Sequence, residues 1–339
     1  MVNRGLFLDA EHRLTLRECA IPEPGKNELL VKIKSNGLCG SDIHFYKEGR
    51  LGNFVVTDPY IPGHEASGTV IAVGADVKHF KEGDNIVIEP GFTCGQCSFC
   101  KSGRYNLCGD VHFLSAPPVN GTLCDYVAVP ESFAYLMPEG MTFDSAAIAE
   151  PAAVAVHAVN RAGFKNGSDG VIAGVGPIGL LTLQAFKAAG GGRALCIDIS
   201  QKRLDLASKL GADCVINTSK NSMPQNAGDV VFDTTGSGSV TAQLFSIAKA
   251  GATVVQVGWP DGSFVNMNIA DFLDKELNYV GVNRYANAFP TAICWLADGR
   301  IKSNELITHR FPLSNAVEAF RFVSENPDQT VKVIIYNDD

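Results

Sequence analysis

The middle of this 339-residue chain alternates short apolar strands with helix-length segments, which constrains the fold more than any other feature. Strands are predicted at 171–173, 194–198, 214–216, 230–233 and 253–257, and helices at 178–189, 201–210 and 240–248. Residues 219–228 lack a helical period and are predicted to form a loop. Because helical crossovers join parallel strands, the sequence predicts an α/β domain with a doubly wound parallel sheet.

A glycine-rich turn follows the first of these strands. Gly174, Gly176 and Gly179 form a G-x-G-x-x-G pattern, in which Pro177 and Ile178 occupy the last variable positions. Glycines at this spacing allow a tight turn and let the main chain approach a pyrophosphate at the helix N-terminus. The pattern alone is weak, but its strand–turn–helix context indicates a dinucleotide site formed by these five residues.

Asp198 ends the second strand, nineteen residues beyond Gly179 (198 − 179). A carboxylate at this place binds the ribose hydroxyls of NAD and repels the 2′-phosphate of NADP. The alternative for Asp198 is a turn or N-cap role. Arg203, one turn into the next helix, would accept a 2′-phosphate or lie on a solvated helix face. Because Asp198 repels that phosphate, the sequence predicts NAD as the cofactor.

A run of four cysteines carries the strongest metal-binding pattern in the chain. Its spacing is C-x2-C-x2-C-x7-C, and its members are Cys94, Cys97, Cys100 and Cys108. Four thiolates this close together are typical of a closed structural Zn²⁺ site. Two disulfides or an iron–sulfur cluster are the alternatives, but Cys-x2-Cys loops are tight for disulfides. We therefore predict a zinc lobe near residues 91–109 that holds shape and performs no chemistry.

The composition limits the partners and the location of the protein. Its 36 acidic and 28 basic residues give a net charge of −8, which argues against nucleic acid as a partner. No apolar stretch approaches a membrane span, and the first residues lack an apolar signal core, so the sequence predicts a cytoplasmic protein with no membrane partner. A zinc-dependent binding module is the non-enzymatic alternative, although its lobe carries only two cations, Lys101 and Arg104.

Several further motifs occur in the order typical of one protein family. They are Cys39-Gly-Ser-Asp-Ile-His44, Gly49-Arg-Leu-Gly-Asn-Phe54, Gly63-His-Glu-Ala-Ser-Gly68, Gly103-Arg-Tyr-Asn-Leu107, Glu150-Pro151, Arg284-Tyr285 and Thr308-His-Arg-Phe-Pro312. With the cysteine run and the glycine motif, they make the chain resemble the zinc-dependent medium-chain dehydrogenases over essentially its whole length, closest to the sorbitol and xylitol dehydrogenases. The resemblance implies a GroES-like β-rich catalytic domain at 1–150 and 286–339, and a Rossmann NAD-binding domain at 151–285.

The resemblance also implies a catalytic Zn²⁺, which makes two Zn²⁺ per chain with the lobe ion. Cys39 and His64 would bind it together with a glutamate, leaving one position open for the substrate. Glu65 follows His64 directly, and neighbours on an extended chain point to opposite faces, so the backbone must turn for both to bind. Glu150 is the competing third ligand, and the sequence leaves the choice open.

Other roles follow from the same resemblance. Ser41 and His44 would relay the alcohol proton to solvent, with Glu150 as a further catalytic residue. The polyol would contact Phe45, Glu150, Arg284 and Tyr285. The cofactor would additionally contact Val257, Gly258, Val282 and Arg284. Phe45 stands where sorbitol enzymes carry a tyrosine, which favours xylitol or arabinitol as the substrate.

These residues together predict a function. It is the interconversion of a polyol (xylitol, sorbitol or arabinitol) and its ketose, with NAD as hydride acceptor, in a homotetramer or homodimer. A threonine or simple alcohol dehydrogenase on the same scaffold is the alternative. Glu150 and the Arg284-Tyr285 pair favour the polyol, because an arginine offers several donors to vicinal hydroxyls.

Overall fold

The structure is a computed structural model that describes residues 2–260 and 264–338. The chain divides into two units, Met1–Glu150 with Ser303–Asp339, and Pro151–Lys302. The sequence placed the second boundary after residue 285, so the second unit is 17 residues longer than expected (302 − 285). The extra residues are held within it because the Tyr285 ring packs edge-on against Phe289, and the Lys302 N–H donates to Gln184 Oε1 at 2.8 Å.

The first unit is rich in strands, which are numbered here along the whole chain. They are β1 (Asn3–Leu8), β2 (Leu14–Cys19), β3 (Glu28–Gly37), β4 (Arg50–Leu51), β5 (Phe54–Val55), β6 (Glu65–Val73), β7 (Asn85–Ile88), β8 (Gly91–Phe92), β9 (His112–Phe113), β10 (Tyr126–Pro130), β11 (Ala134–Leu136), β18 (Ile307–Pro312) and β19 (Lys332–Tyr336). Seven of them form one sheet of order β11-β7-β6-β3-β19-β18, with β10 also paired to β3. Alternate residues of β3 (Leu29, Val31 and Ile33) point into the core.

Strand register brings distant residues together at one end of β3. Glu65 is paired with Gly37 on one side, and Ile334 is paired with Gly37 on the other. Cys39, two residues beyond Gly37, therefore lies next to the start of β6 and the start of β19. The helices of this unit are α1 (Gly40–Glu48), α2 (Ser98–Lys101), α3 (Phe143–Ala147) and α11 (Ala316–Glu325), while α4 (Ala149–Ala162) crosses its boundary.

The second unit contains a six-stranded sheet in which every pair is parallel. Its strands are β12 (Gly170–Ala173), β13 (Ala194–Asp198), β14 (Cys214–Asn217), β15 (Gly228–Asp233), β16 (Ala248–Gln256) and β17 (Asn278–Gly281), in the order β14-β13-β12-β15-β16-β17. Its helices are α5 (Pro177–Ala188), α6 (Gln201–Lys209), α7 (Gly238–Thr241), α8 (Leu244–Ile247), α9 (Ile269–Asp274) and α10 (Phe289–Ala297). Strands are added outward from β12 to β14 on one side of the sheet and from β15 to β17 on the other, and ligands bind at the carboxyl ends of strands around such a switch point.

One predicted helix differs from the structure. The helix expected at 240–248 is instead two short helices, α7 and α8, and Ala248 already belongs to β16. The Thr241 hydroxyl donates to the buried Asp233 carboxylate at 2.6 Å, which fixes the end of α7 against β15. Residues 218–227, all of them described, form turns, bends and irregular segments without a helix, as the sequence predicts. Within the described residues, no helix has the length and apolarity of a membrane crossing.

Candidate active site

Three metal-binding side chains meet in the first unit. The ligand atoms of Cys39, His64 and Glu65 all lie within 4.8 Å of one another. His64 and Glu65 are buried (6% and 1% exposed), while Cys39 is partly exposed. His64 precedes β6 and Glu65 begins it, so the two are not neighbours within one regular strand, and the preceding Gly63 has a φ of 95°, which suits a glycine. Thiolate, imidazole and carboxylate are the donors that Zn²⁺ takes in proteins, so the set fits this metal.

Asp42 lies beside two of these residues and was not identified from the sequence. Its Oδ2 accepts the Cys39 N–H at 3.1 Å, and its Oδ1 lies 3.7 Å from His64 Nδ1. Oδ1 also accepts the Ser115 hydroxyl at 2.9 Å and the Gly63 N–H at 3.2 Å. Carboxylates beside a ligating histidine orient its ring and increase its basicity. The signal in the sequence was the acidic residue three positions after Cys39, in the first turn of α1.

The electrostatics of this site favour a cation. Burial by itself lowers the pKa of His64, but the charges of Asp42 and Cys39 raise it well above its usual value. Glu150, in the first turn of α4 and also buried, adds to this effect. A site that attracts a proton so strongly also attracts a metal ion in its place. Glu150 is not among the three residues with ligand atoms within 4.8 Å.

A buried lysine completes the surroundings of the site. Lys332 Nζ donates to both carboxylate oxygens of Glu65, at 2.8 and 2.7 Å, and to the Leu38 carbonyl at 3.3 Å. Burial lowers the pKa of this ammonium, but Glu65, Cys39 and Glu150 raise it above its usual value, so the ion pair is maintained. The sequence interpretation missed Lys332, although it is the one charged residue in an otherwise uncharged strand.

The three predicted residues of α1 lie in different surroundings. Ser41 is half-buried and His44 is exposed. Phe45 is buried, and its ring packs edge-on against Tyr60 in a small core cluster. The proton-relay role of Ser41 and His44 and the substrate role of Phe45 stay predictions.

The four-cysteine lobe has the geometry of a closed metal site. The Cys97–Cys100 and Cys94–Cys108 sulfur pairs are each 3.5 Å apart, and Cys94 and Cys100 are 4.0 Å apart. Four sulfurs at Zn–S distances of 2.3 Å in a tetrahedron are separated by about 3.8 Å. The N–H groups of Gln96 and Cys97 lower the pKa of Cys94 to about 7, which favours its thiolate. These cysteines are all free thiols, so the predicted zinc site is compatible with the structure.

A buried carboxylate connects the lobe to the main sheet. Glu89, directly after β7, accepts hydrogen bonds from the Tyr105 hydroxyl at 2.8 Å and the Tyr135 hydroxyl at 2.7 Å. Tyr105 belongs to the lobe, and Tyr135 belongs to β11. Burial raises the pKa of Glu89, while the two phenols lower it. The lobe is therefore attached to the sheet through a side-chain contact in addition to the chain itself.

The glycine motif of the second unit forms the expected turn between β12 and α5. Gly174 has a φ of 82°, and a Cβ at Gly179 would lie 1.9 Å from the Gly174 carbonyl oxygen. A Cβ at Gly176 would meet nothing within 4 Å, so open space lies beside the turn. Pro177 begins the helix at its first position, followed by Ile178. This arrangement fits a pyrophosphate at the helix N-terminus.

Most of the other predicted cofactor residues lie at the carboxyl ends of the parallel strands. Asp198, at the end of β13, accepts the Val175 N–H and the Ser200 N–H, each at 2.8 Å. Asp198 thus also fixes the glycine turn through Val175, and its bond to the Ser200 N–H is the turn role that the sequence offered as the alternative. Arg203 is half-buried in α6. Val257 and Gly258 follow β16, and Val282 follows β17.

Arg284 and Tyr285 belong to the second unit, just after β17. Arg284 has a φ of 54°, a left-handed conformation that is uncommon for a residue other than glycine. Tyr285 is 3% exposed and packs against Phe289 with ring centroids 5.2 Å apart. Strained backbone of this kind is concentrated at functional sites. Their contact with a polyol stays a prediction.

Comparison with known proteins identifies the family. Residues 25–139 match the model of the alcohol dehydrogenase GroES-like domain, and residues 177–298 match that of the zinc-binding dehydrogenases. Sorbitol dehydrogenase of Bacillus subtilis is 36% identical over 93% of this chain and 92% of its own length. Sorbitol dehydrogenase of Gallus gallus is 41% identical over 91% of this chain and 89% of its own length.

Solved structures agree with the sequence comparison. L-idonate 5-dehydrogenase from Escherichia coli has a TM-score of 0.93 at 32% identity, covering 99% of this chain and 98% of its own. A zinc-binding dehydrogenase from Sinorhizobium meliloti, bound to NADP, has a TM-score of 0.91 at 30% identity, covering 99% of both chains. The chain therefore belongs to the zinc-dependent medium-chain dehydrogenases, a family of oxidoreductases. The predicted family and fold class are confirmed.

Proposed function

We propose that this protein interconverts a polyol and its ketose, with zinc as the catalytic metal and NAD as the hydride acceptor. The observation that carries the proposal is the group of Cys39, His64 and Glu65, whose ligand atoms lie within 4.8 Å of one another, with the Asp42 carboxylate beside Cys39 and His64. The likeness to sorbitol dehydrogenases at 36% and 41% identity supports a polyol as the substrate.

Different residues of the chain are proposed to bind the metal and to transfer the proton. Cys39, His64 and Glu65 would hold the Zn²⁺, with buried Glu150 nearby. Zinc supplies Lewis acidity to the substrate alcohol, and NAD accepts the hydride. Ser41 and His44 lie three residues apart on α1, and residues at this spacing share one face of a helix. Since Ser41 is half-buried and His44 is exposed, the pair provides a route for the alcohol proton to solvent.

Initial rates with NAD over a panel of alcohols test the substrate class. Xylitol, sorbitol and L-arabinitol are expected to be oxidised with a higher kcat/KM than threonine or ethanol. Arg284 and Tyr285 are proposed to bind the vicinal hydroxyls that only the polyols offer. A preference for threonine or ethanol would replace this proposal with the second candidate, a threonine or simple alcohol dehydrogenase. The panel also ranks xylitol and arabinitol against sorbitol, which tests the role of Phe45.

The preference for NAD is expected to depend on Asp198. In the Asp198→Ser variant, the ratio of kcat/KM with NADP to that with NAD should rise by about tenfold or more, because the carboxylate that repels a 2′-phosphate is gone. Asp205→Ser, an exposed position on α6, removes the same charge and serves as the control. An unchanged ratio in Asp198→Ser would show that this residue does not select the cofactor.

Three broader proposals concern the location, the oligomeric state and the partner of the enzyme. We place it in the cytoplasm, because all ten cysteines are free thiols and disulfides are rare in that compartment. We also propose a homotetramer or homodimer, which light scattering coupled to size-exclusion chromatography would test. Its proposed partner is a small-molecule polyol or ketose, and we propose that it binds neither nucleic acid nor a membrane.

A further inference from the structure

Lys332 is a buried charge at the proposed catalytic metal site, and its position follows from the sheet. It begins β19, whose register places Ile334 opposite Gly37 on β3. The lysine, two residues before Ile334, therefore lies beside the chain that leads to Cys39. With 3% of its surface exposed, the ammonium has little access to water. Burying an ammonium costs free energy unless it is paired. Its hydrogen bonds must therefore explain why a lysine occupies this position of the strand.

Protein atoms occupy all three donors of the ammonium. Two hydrogen bonds reach the two Glu65 oxygens, at 2.8 and 2.7 Å, and the third reaches the Leu38 carbonyl at 3.3 Å. Glu65 is itself fitted closely against β3, because a Cβ at Gly37 would lie 2.0 Å from Glu65 Oε2. Glu65 is thus fixed on one side by the Lys332 ammonium. On the other side it fills the space that a side chain at Gly37 would occupy.

The same carboxylate belongs to the metal-binding group. Its oxygen lies within 4.8 Å of the ligand atoms of Cys39 and His64, while both of its oxygens bind Lys332. Charge-assisted hydrogen bonds are roughly twice as strong as neutral ones and draw negative charge towards the ammonium. A carboxylate bound in this way is a weaker donor to a cation than a free carboxylate. Lys332 and the metal therefore compete for the same two oxygens.

We propose that Lys332 is a positioning residue that weakens the bond between Glu65 and the catalytic metal. This rests on the proposed function, since it takes Cys39, His64 and Glu65 as the metal site. With Glu65 neutralised by Lys332, the Cys39 thiolate is left as the main anionic donor of the group. The ion then keeps more of its Lewis acidity for the substrate. A fully anionic Glu65 would instead hold the ion more tightly and make it less acidic.

Zinc release from the Lys332→Met variant tests the proposal. Methionine keeps much of the length of the side chain and removes the charge. When a chromophoric chelator withdraws zinc from the loaded protein, release from the catalytic site should be roughly tenfold slower than in the wild type. Changes of residues that contact metal ligands alter metal affinity by this order of magnitude. A purely structural role predicts the opposite, since a loosened site releases zinc faster. Cys94→Ser, which removes a lobe ligand, identifies which release phase belongs to the lobe.

Two further variants complete the test. Lys332→Arg retains the charge and should release zinc at the wild-type rate. In Lys332→Met with Glu65→Gln, release should be no slower than in Glu65→Gln alone, because the effect acts through the Glu65 charge. Unchanged or faster release in Lys332→Met, or slow release that persists in the double variant, would overturn the proposal. Lys332→Gln, with a smaller but still slowing effect, replaces the methionine variant if that protein fails to fold.

This experiment is independent of the polyol assignment because it uses zinc and chelator without a substrate. Unchanged zinc release in an enzyme that oxidises polyols would reject the role of Lys332 alone. Slow release in an enzyme that oxidises only threonine or ethanol would support the role of Lys332 and reject the substrate class.

Discussion

Replacing Cys39 with alanine is expected to remove turnover while leaving the fold intact. The change deletes one of the three metal ligands, and zinc analysis should fall from two ions per chain to one. Loss of a Lewis acid that contributes several kcal/mol to the transition state corresponds to a decrease in kcat of about a thousandfold or more. The lobe cysteines are untouched, so the remaining ion should be theirs.

Cys214→Ala is the matched control for this prediction. Cys214 is an exposed free cysteine on β14 in the second unit, remote in sequence from both metal-binding groups. It should keep two zinc ions and full turnover. Circular dichroism and the unfolding temperature of Cys39→Ala establish that it remains folded. Retention of two zinc ions, or of most of the turnover, would contradict the assignment of Cys39 as a ligand.

The sequence reveals those parts of the structure that are specified locally. The helix predicted at 201–210 corresponds to α6 (Gln201–Lys209), in which the buried Leu204 and Ala207 follow the helical spacing of three residues. The glycine turn was likewise predictable, since Gly174 and Gly179 are needed for the backbone of that turn itself. In each case the relevant interactions lie within a few residues of the chain.

The features that the sequence did not reveal depend on contacts between distant segments. Lys332 and Glu65 are 267 residues apart and meet only because β19 and β6 both pair with β3. Ser115 reaches Asp42 across 73 residues. Similarly, the division of the predicted helix at 240–248 reflects the bond from Thr241 to buried Asp233. No local sequence pattern encodes these pairings. A single lysine in a buried strand nevertheless indicates that its charge has a buried partner elsewhere in the chain.

Removing the lobe zinc is expected to open a specific segment of the first unit. Between Cys94 and Cys108, the regular structure consists of the four-residue helix α2 and one turn of 3₁₀ helix. Cys108 and Asn106 are the buried residues of this described segment, so it has no core of its own. Structural zinc contributes about 10–16 kcal/mol to the folding of comparable small motifs. Without the ion, the segment should unfold locally.

Cys94→Ser should therefore lose one zinc per chain and become sensitive to trypsin after Lys101 and Arg104. Both residues are exposed, so the protease needs only a mobile backbone to cut there. Opening the lobe also withdraws the Tyr105 hydroxyl from Glu89, which leaves that buried carboxylate with one phenol fewer and lowers the unfolding temperature. Cys294→Ser, an exposed position on α10, should resist trypsin as the wild type does. A Cys94→Ser protein that keeps two zinc ions and remains uncut would show that the lobe does not depend on a metal.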